Sequence, residues 1–353
     1  MKMTMRYYGK DYDSISLSQI RQIRYVTGVI STLYGKAAGE LWTRNEIRAL
    51  INEVESSGLK LNGIESVNIH DAIKTGSANR DQYIENYIQT LKNLGEEGID
   101  MVCYNFMPVF DWTRTDLAKM RPDGSTVLAY DQSVIDQIDP DKMLESMEKS
   151  SNGFVLPGWE PERMSQIKQL FEDYSTVTED ILFDNLVYFL KAVIPTCERY
   201  GIKMGIHPDD PAWSVFGLPR IVRNKETLLK IVNAVDSPCN GITLCTGSLG
   251  SNPDNDIPDI VRSLKDRISF AHIRNVKHTA QGQFEEAAHL TEDGSLDMQA
   301  IVKALYETGF DGVIRPDHGR ALWGEKSMPG YGLYDRALGA AYLCGLWESI
   351  TGL

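Results

Sequence analysis

The 353-residue chain is 42% hydrophobic and 24% charged, an ordinary globular balance that excludes a disordered or fibrous protein. Its 36 basic and 49 acidic side chains give a formal net charge of -13, which argues against a protein that coats nucleic acid or anionic membrane. No apolar run is long enough to span a bilayer, and the opening MKMTMRYYGKDYDS lacks the apolar core of a signal peptide, so the cytoplasm is the expected compartment. Cys103, Cys197, Cys239, Cys245 and Cys344 are scattered and odd in number, which predicts reduced thiols and leaves one free to bind metal.

In chain order, residues 2–8 (KMTMRYY) predict a strand ending near Arg6 and Tyr7, followed by a short helix from Ser16 to Arg24 and a second strand from Val26 to Leu33. The next helix starts at Thr43 and Glu46 in capping-box spacing, buries Ile47, Leu50, Ile51 and Val54, and stops at Gly58. Leu59 to Val67 predicts a third strand, with His70 just beyond it. Ile84, Tyr87, Ile88, Leu91 and Leu94 line one face of a helix over Asn79 to Glu97, and Asp100 to Asn105 predicts the fourth strand. From Met107 to about Val177 the rhythm breaks. We read 107–177 as one lid-like insertion on the loop face of a single domain, since loops of this length in a compact domain are usually functional.

Alternation then resumes. Asp180 to Tyr200 is an apolar helix in which Pro195 is expected to introduce a kink. Strands over Ile202 to Ile206, Gly241 to Leu244, Ile268 to Ile273 and Gly312 to Arg315 are separated by helices over Asn224 to Val235, Ile257 to Lys265 and Asp297 to Thr308. Gln281 to Gly294 reads as a polar loop, and Leu333 to Ser349 closes the chain. Eight strand patterns alternating with helices predict an α/β fold, a closed (β/α)8 TIM barrel covering residues 1–353 as one domain. A doubly wound open sheet is the competitor, but no Gly-x-Gly-x-x-Gly turn follows the first strand.

His207, Cys245, His272 and Asp317 fall at the ends of four consecutive strands, spaced as βα units rather than as a local finger. Singly, each has an ordinary explanation: a loop histidine, a small buried thiol, a strand histidine, a loop cap. Together they form a donor set suited to Fe(II), Mn(II), Co(II) or Zn(II). Because strand residues alternate faces, His272 shares a face with Arg274, and Arg315 with Asp317. Arg274 and Arg315 are either rim ion-pair members or a clamp for a substrate carboxylate, to which guanidinium geometry is matched. His70, Asn105, Trp112 and Arg114 are candidate substrate contacts, the last two with packing inside the insertion as the alternative. Tyr331 lies between Gly330 and Gly332, where a packing role is less natural.

The segments MRYYGK, SLSQIRQI, VTGV, FMPVFDWTRTDL, GIHPDDP, LCTGSLG and FAHIRN, and above all IRPDHGR with PGYGLYDRALGA, resemble the D-mannonate dehydratase family over essentially the full length. The resemblance implies a xylose-isomerase-like barrel that removes water from D-mannonate to give 2-keto-3-deoxy-D-gluconate in hexuronate catabolism, using Mn(II) or Fe(II). It implies His207, Cys245, His272 and Asp317 as ligands and His318 and Tyr331 as acid/base groups; for the departing hydroxyl, Asp317 is a further candidate acid on chemical grounds. Ile69-His70-Asp71-Ala72-Ile73-Lys74 and Arg24-Tyr25 depart from the family's usual Val-His-Glu-Asp-Ile-Lys and Pro-Gly. The expected partner is a small sugar acid, with no nucleic acid or membrane, and the expected assembly is a homo-oligomer, a dimer ahead of other states. A metal-dependent sugar isomerase or epimerase and a non-catalytic binding barrel are the alternatives.

Overall fold

The computed structural model describes residues 1–137 and 166–352, and its organising feature is a sheet closed on itself. In chain order the strands are β1 (Lys2–Arg6), β2 (Gly28–Ser31), β3 (Lys60–Glu65), β4 (Met101–Tyr104), β5 (Asp116–Met120), β6 (Thr126–Asp131), β7 (Lys203–Ile206), β8 (Asn240–Cys245), β9 (Ile268–Ile273), β10 (Asn275–Ala280), β11 (Gln283–Ala287) and β12 (Val313–Pro316). The ring runs β1, β2, β3, β4, β7, β8, β9, β12, and β12 pairs parallel with β1 to shut it. This is the (β/α)8 TIM barrel expected, and the closure excludes an open sheet.

The period of two along each strand separates two cores. One residue set, including Ile64, Val102, Ile206, Leu244, Ala271 and Ile314, joins the large apolar cluster shared with the surrounding helices. The other points into the bore, where Ile30, Met101, Cys103, Phe270 and Val313 form a small cluster of their own. Two positions on from Phe270 and Val313 come His272 and Arg315, so the apolar plug is the floor on which the polar mouth stands.

Helix boundaries follow the chemistry of their ends. Thr43 Oγ1 accepts from Glu46 N at 3.4 Å while Thr43 N donates to Glu46 Oε2 at 2.9 Å, closing the capping box of the helix Arg44–Ser56. Gly58 follows with φ 81°, a left-handed conformation that glycine adopts without a Cβ penalty. The helix Glu179–Tyr200 runs through Pro195 as one 22-residue segment. Among the described residues no helix is long and apolar enough to cross a membrane.

The expected insertion over 107–177 includes residues 138–165, which lie outside the described residues. Its described part contributes β5 and β6 to a second sheet, antiparallel, of order β10, β11, β6, β5. This sheet corrects the expectation of a polar loop over Gln281 to Gly294, because β11 occupies Gln283–Ala287. The strand is polar in sequence yet buried. Glu285 reaches Lys119 Nζ at 2.8 Å, and Glu286 reaches Arg114 Nη2 at 3.1 Å, so ion pairs replace the apolar alternation that would have marked it.

The Phe270 ring meets His272 edge to face, centroids 4.3 Å apart. Phe270→Ala leaves a cavity in the bore that its neighbours cannot close, so it is expected to cost about 3–5 kcal/mol, read as a lower urea midpoint with unchanged slope.

Candidate metal centre

Barrel register brings the predicted strand-end residues to one side of the mouth. Cys245 at the end of β8 is paired with His272 on β9, and His272 with Arg315 on β12. His207 follows β7, and its ring centroid lies 5.1 Å from that of His272. One ligand atom from each of His207, Cys245 and His272 lies within 4.8 Å of the others, a spacing able to hold one metal ion. His207 Nδ1 donates to the Pro208 carbonyl at 2.7 Å, which leaves Nε2 as the nitrogen available to the site. His272 Nε2 is buried without a hydrogen-bond partner, although Glu65 Oε2 lies 3.3 Å away.

Asp317, immediately after β12, stands beside this trio. Its Oδ2 is 3.4 Å from Cys245 Sγ, and its Oδ1 is 3.8 Å from His272 Nδ1. The same carboxylate receives Arg315 Nη1 at 2.7 Å and Arg274 Nε at 2.9 Å. Burial would raise its pKa, but Arg315, His318 and Arg274 outweigh burial and hold it well below the usual range. Burial and Asp317 push the Cys245 thiol up, Arg274 and His207 pull it down, and the balance leaves it at about 5, a thiolate at neutral pH. Burial opposes charge on His207, yet the neighbouring sulfur raises it to about 9.

The two arginines expected either to pair internally or to clamp substrate are both paired. Arg315 bonds Glu65 at 2.9 and 3.2 Å, and Arg274 bonds Asp210 and Glu286 as well as Asp317. Arg114 is likewise internal, with Asp210 at 2.7 and 3.1 Å, and is absent from the cavity wall. Arg6 completes the series with Glu65 at 3.1 Å. The result is one buried chain of alternating charge, from Arg6 through Glu65, Arg315, Asp317, Arg274, Asp210 and Glu286 to Arg114.

His318 and Tyr331 meet above it, His318 Nε2 lying 2.9 Å from the Tyr331 hydroxyl. His318 Nδ1 lies 2.6 Å from Glu286 Oε1. Burial, then Asp317, raises the Tyr331 phenol far above its ordinary value, so it is a protonated donor at rest. Trp112 presents its ring edge-on to His318 at 6.0 Å. A cavity of about 890 Å³ opens over this face, lined by His207, Arg274, Arg315, Asp317, His318 and Tyr331 and also by His70, Asn105 and Trp112. His70 accepts from Ala72 N at 3.1 Å and stacks on Tyr83 at 3.7 Å, capping the short helix Asp71–Thr75. Asn105 Oδ1 accepts from Met107 N at 3.2 Å.

Sequence reasoning missed Glu65, Asp210 and Glu286. Glu65 carried a usable signal, since it ends β3 in register with Cys103 on β4, as the other mouth residues end theirs. Glu65, Cys103 and His272 form a second trio of metal-ligand type, but Arg315 and Arg6 already neutralise this carboxylate.

The closed eight-stranded barrel is a TIM barrel with its candidate site at the C-terminal ends of the strands. The xylose isomerase domain protein from Planctomyces limnophilus superposes with TM-score 0.55 at 14% identity, covering 99% of each chain, a likeness of fold alone. The chain belongs to the D-mannonate dehydratase (UxuA) family, whose model matches residues 1–353. The mannonate dehydratase of Brachyspira hyodysenteriae is 67% identical over 350 residues, 99% of either chain. That of Geobacillus thermodenitrificans is 57% identical over 352 residues, 99% of this chain and 95% of the relative. The crystal structure of mannonate dehydratase from Streptococcus suis serotype2 superposes with TM-score 0.90 at 43% identity, covering 99% of this chain and 95% of that one.

Arg114→Ala strips Asp210 and Glu286 of a shared counter-charge in a fully buried setting. It is expected to cost about 3–5 kcal/mol in chemical denaturation, against less than about 1 kcal/mol for truncating a surface partner such as Arg262.

Proposed function

We propose that this chain is a metal-dependent hydro-lyase that converts D-mannonate to 2-keto-3-deoxy-D-gluconate in hexuronate breakdown, with Mn(II) or Fe(II) held by His207, Cys245, His272 and Asp317. The observation that carries the reading is the convergence of two imidazoles and a thiol within 4.8 Å, beside a hydrogen-bonded His318 and Tyr331, in a member of the D-mannonate dehydratase family.

The residues present fit such an ion. Cys245 is drawn toward thiolate, and His272 keeps a buried nitrogen without a hydrogen bond, which is the state a ligand needs. Charge supports an anionic substrate. Arg6, Arg114, Arg274 and Arg315 balance Glu65, Asp210, Glu286 and Asp317, so a thiolate and a divalent ion leave one surplus positive charge, which one aldonate carboxylate would cancel.

Dehydration breaks the C2–H bond, whose electron pair forms the C2–C3 double bond as the C3 hydroxyl departs and takes up a proton to leave as water. The resulting enol tautomerises to the 2-keto acid. When bound, the ion supplies Lewis-acid stabilisation of the negative charge that builds up next to the substrate carboxylate. His318 and Tyr331, 2.9 Å apart, handle the two protons as one unit at the cavity wall. Asp317 is fixed by Arg315 and Arg274, so it orients rather than drifts. Tyr8, Tyr34, Trp112 and Met328 add apolar surface to the cavity wall.

Metal-free protein given D-mannonate is expected to form no 2-keto acid until Mn(II) or Fe(II) is added, followed by keto-acid assay and by product mass, which must show the loss of one water. Folded protein that yields no such product with either ion overturns the dehydratase, and an isomeric product of unchanged mass indicates the sugar isomerase instead. Cys245→Ser and His272→Asn are each expected to lower bound metal at fixed Mn(II) by about tenfold or more while the far-UV circular dichroism stays near that of the parent chain. Unchanged metal content would remove these residues from the ligand set.

A further inference from the structure

The second sheet reaches the candidate site through Glu286. Glu286, on β11, is 1% exposed and places one oxygen, Oε1, against three donors: His318 Nδ1 at 2.6 Å, Arg114 Nη2 at 3.1 Å and Arg274 Nη1. Its other oxygen, Oε2, is buried with no hydrogen-bond partner among the described residues. A carboxylate serving only to neutralise two guanidiniums would share both oxygens, as Asp210 does with the two nitrogens of Arg114 at 2.7 and 3.1 Å. Glu286 leaves one oxygen bare and crowds the other toward the imidazole.

That contact decides where the proton of His318 sits. An imidazole nitrogen 2.6 Å from a carboxylate oxygen must carry its hydrogen, so Nδ1 is the donor and Nε2 is the nitrogen turned to the Tyr331 hydroxyl. Arg274 Nη1 also lies 2.9 Å from Nδ1. Without Glu286, the guanidinium would donate to Nδ1, and the imidazole proton would move to Nε2, where it would oppose the Tyr331 O–H.

We propose that Glu286 is a positioning residue for the dehydration: it holds His318 by Nδ1, so that Nε2 is kept turned to the Tyr331 hydroxyl. The inference rests on the dehydratase reading for its kinetic consequence, but not for the tautomer itself.

Two readouts test it. In Zn(II)-supplemented protein with 15N-labelled histidine, the His318 resonances, assigned by their loss in His318→Ala, are expected to show Nδ1 protonated. They are expected to exchange protonation to Nε2 in Glu286→Ala. In Mn(II)-loaded enzyme, Glu286→Ala is expected to lower kcat about 10²- to 10⁴-fold with KM within about threefold of the parent, because the group acts on proton transfer and not on binding. Added to His318→Ala, the same change is expected to cost nothing further in kcat, as befits a residue acting through the imidazole. Glu286→Gln keeps a carbonyl oxygen for the same three donors and is expected to retain the Nδ1 tautomer with only about a tenfold loss in kcat.

An unaltered His318 spectrum in Glu286→Ala, or a further loss of kcat when Glu286→Ala is added to His318→Ala, overturns the proposal. Should Glu286→Ala not fold, Glu286→Gln on the His318→Ala background decides, with any additional loss counting against it. Parent protein that is inactive on D-mannonate overturns the dehydratase reading alone, since the spectrum needs no substrate.

Discussion

The structure depends on a run of buried charges of alternating sign across the mouth of the barrel. Arg6, Glu65, Arg315, Asp317, Arg274, Asp210, Glu286 and Arg114 are tied end to end, and most are almost fully removed from solvent. Any one of these ions, alone at that depth, would carry a desolvation penalty of several kcal/mol. Every member except Arg6 at the end has at least two charged partners, with Asp210 and Glu286 bridging Arg274 and Arg114 side by side, and the cost is offset only while these links are present. This makes the mouth stiff. Asp317 is positioned by Arg315 from its own strand and by Arg274 from the neighbouring one, independently of anything bound beside it.

The stiffness needs a floor and a wall. The floor is the plug of Ile30, Met101, Cys103, Phe270 and Val313, which excludes water from beneath the charges and so strengthens every pair above. The wall is the antiparallel sheet of β5, β6, β10 and β11, joined directly to the barrel because β10 begins one residue after Arg274. A (β/α)8 barrel supplies polar groups from its strand ends and the loops that follow them. Glu286 comes from outside that ring and closes the circuit between Arg274 and Arg114.

Much of this was legible in the sequence, for a definite reason. His207, Cys245, His272 and Asp317 announce themselves because each ends an apolar run, and the βα period converts distance along the chain into adjacency around a ring. The helix at Arg44–Ser56 was equally plain, since Thr43, Glu46 and Gly58 write its ends in local chemistry. What stayed hidden has no local signature. Glu286 lies in a stretch that reads as loop, because its burial is stabilised by Arg114, which is 172 positions away. Arg274 and Arg315 had two readings that only their partners could separate, and pairing at 2.9 Å to Asp317 and to Glu65 separates them. Periodicity detects apolar burial, and a buried ion pair looks, residue by residue, like surface.

The separation between what the barrel and the second sheet contribute also bears on how the chemistry is divided. Cys245 and Asp317 place two anionic groups 3.4 Å apart, an arrangement that repels unless cations stand near, and Arg274 and Arg315 answer only the carboxylate in full. The sulfur therefore retains charge that a divalent ion among His207, Cys245 and His272 would satisfy, on the barrel side of the mouth. His318 is turned the other way, toward Glu286 and the second sheet, with Tyr331 as its neighbour across the cavity. In the proposed dehydratase, proton handling and metal holding would thus draw on different carboxylates, Glu286 for the one and Asp317 for the other, although His318 and Asp317 are adjacent in the chain. Two functions required by one reaction would in this way be kept from competing for the same charge.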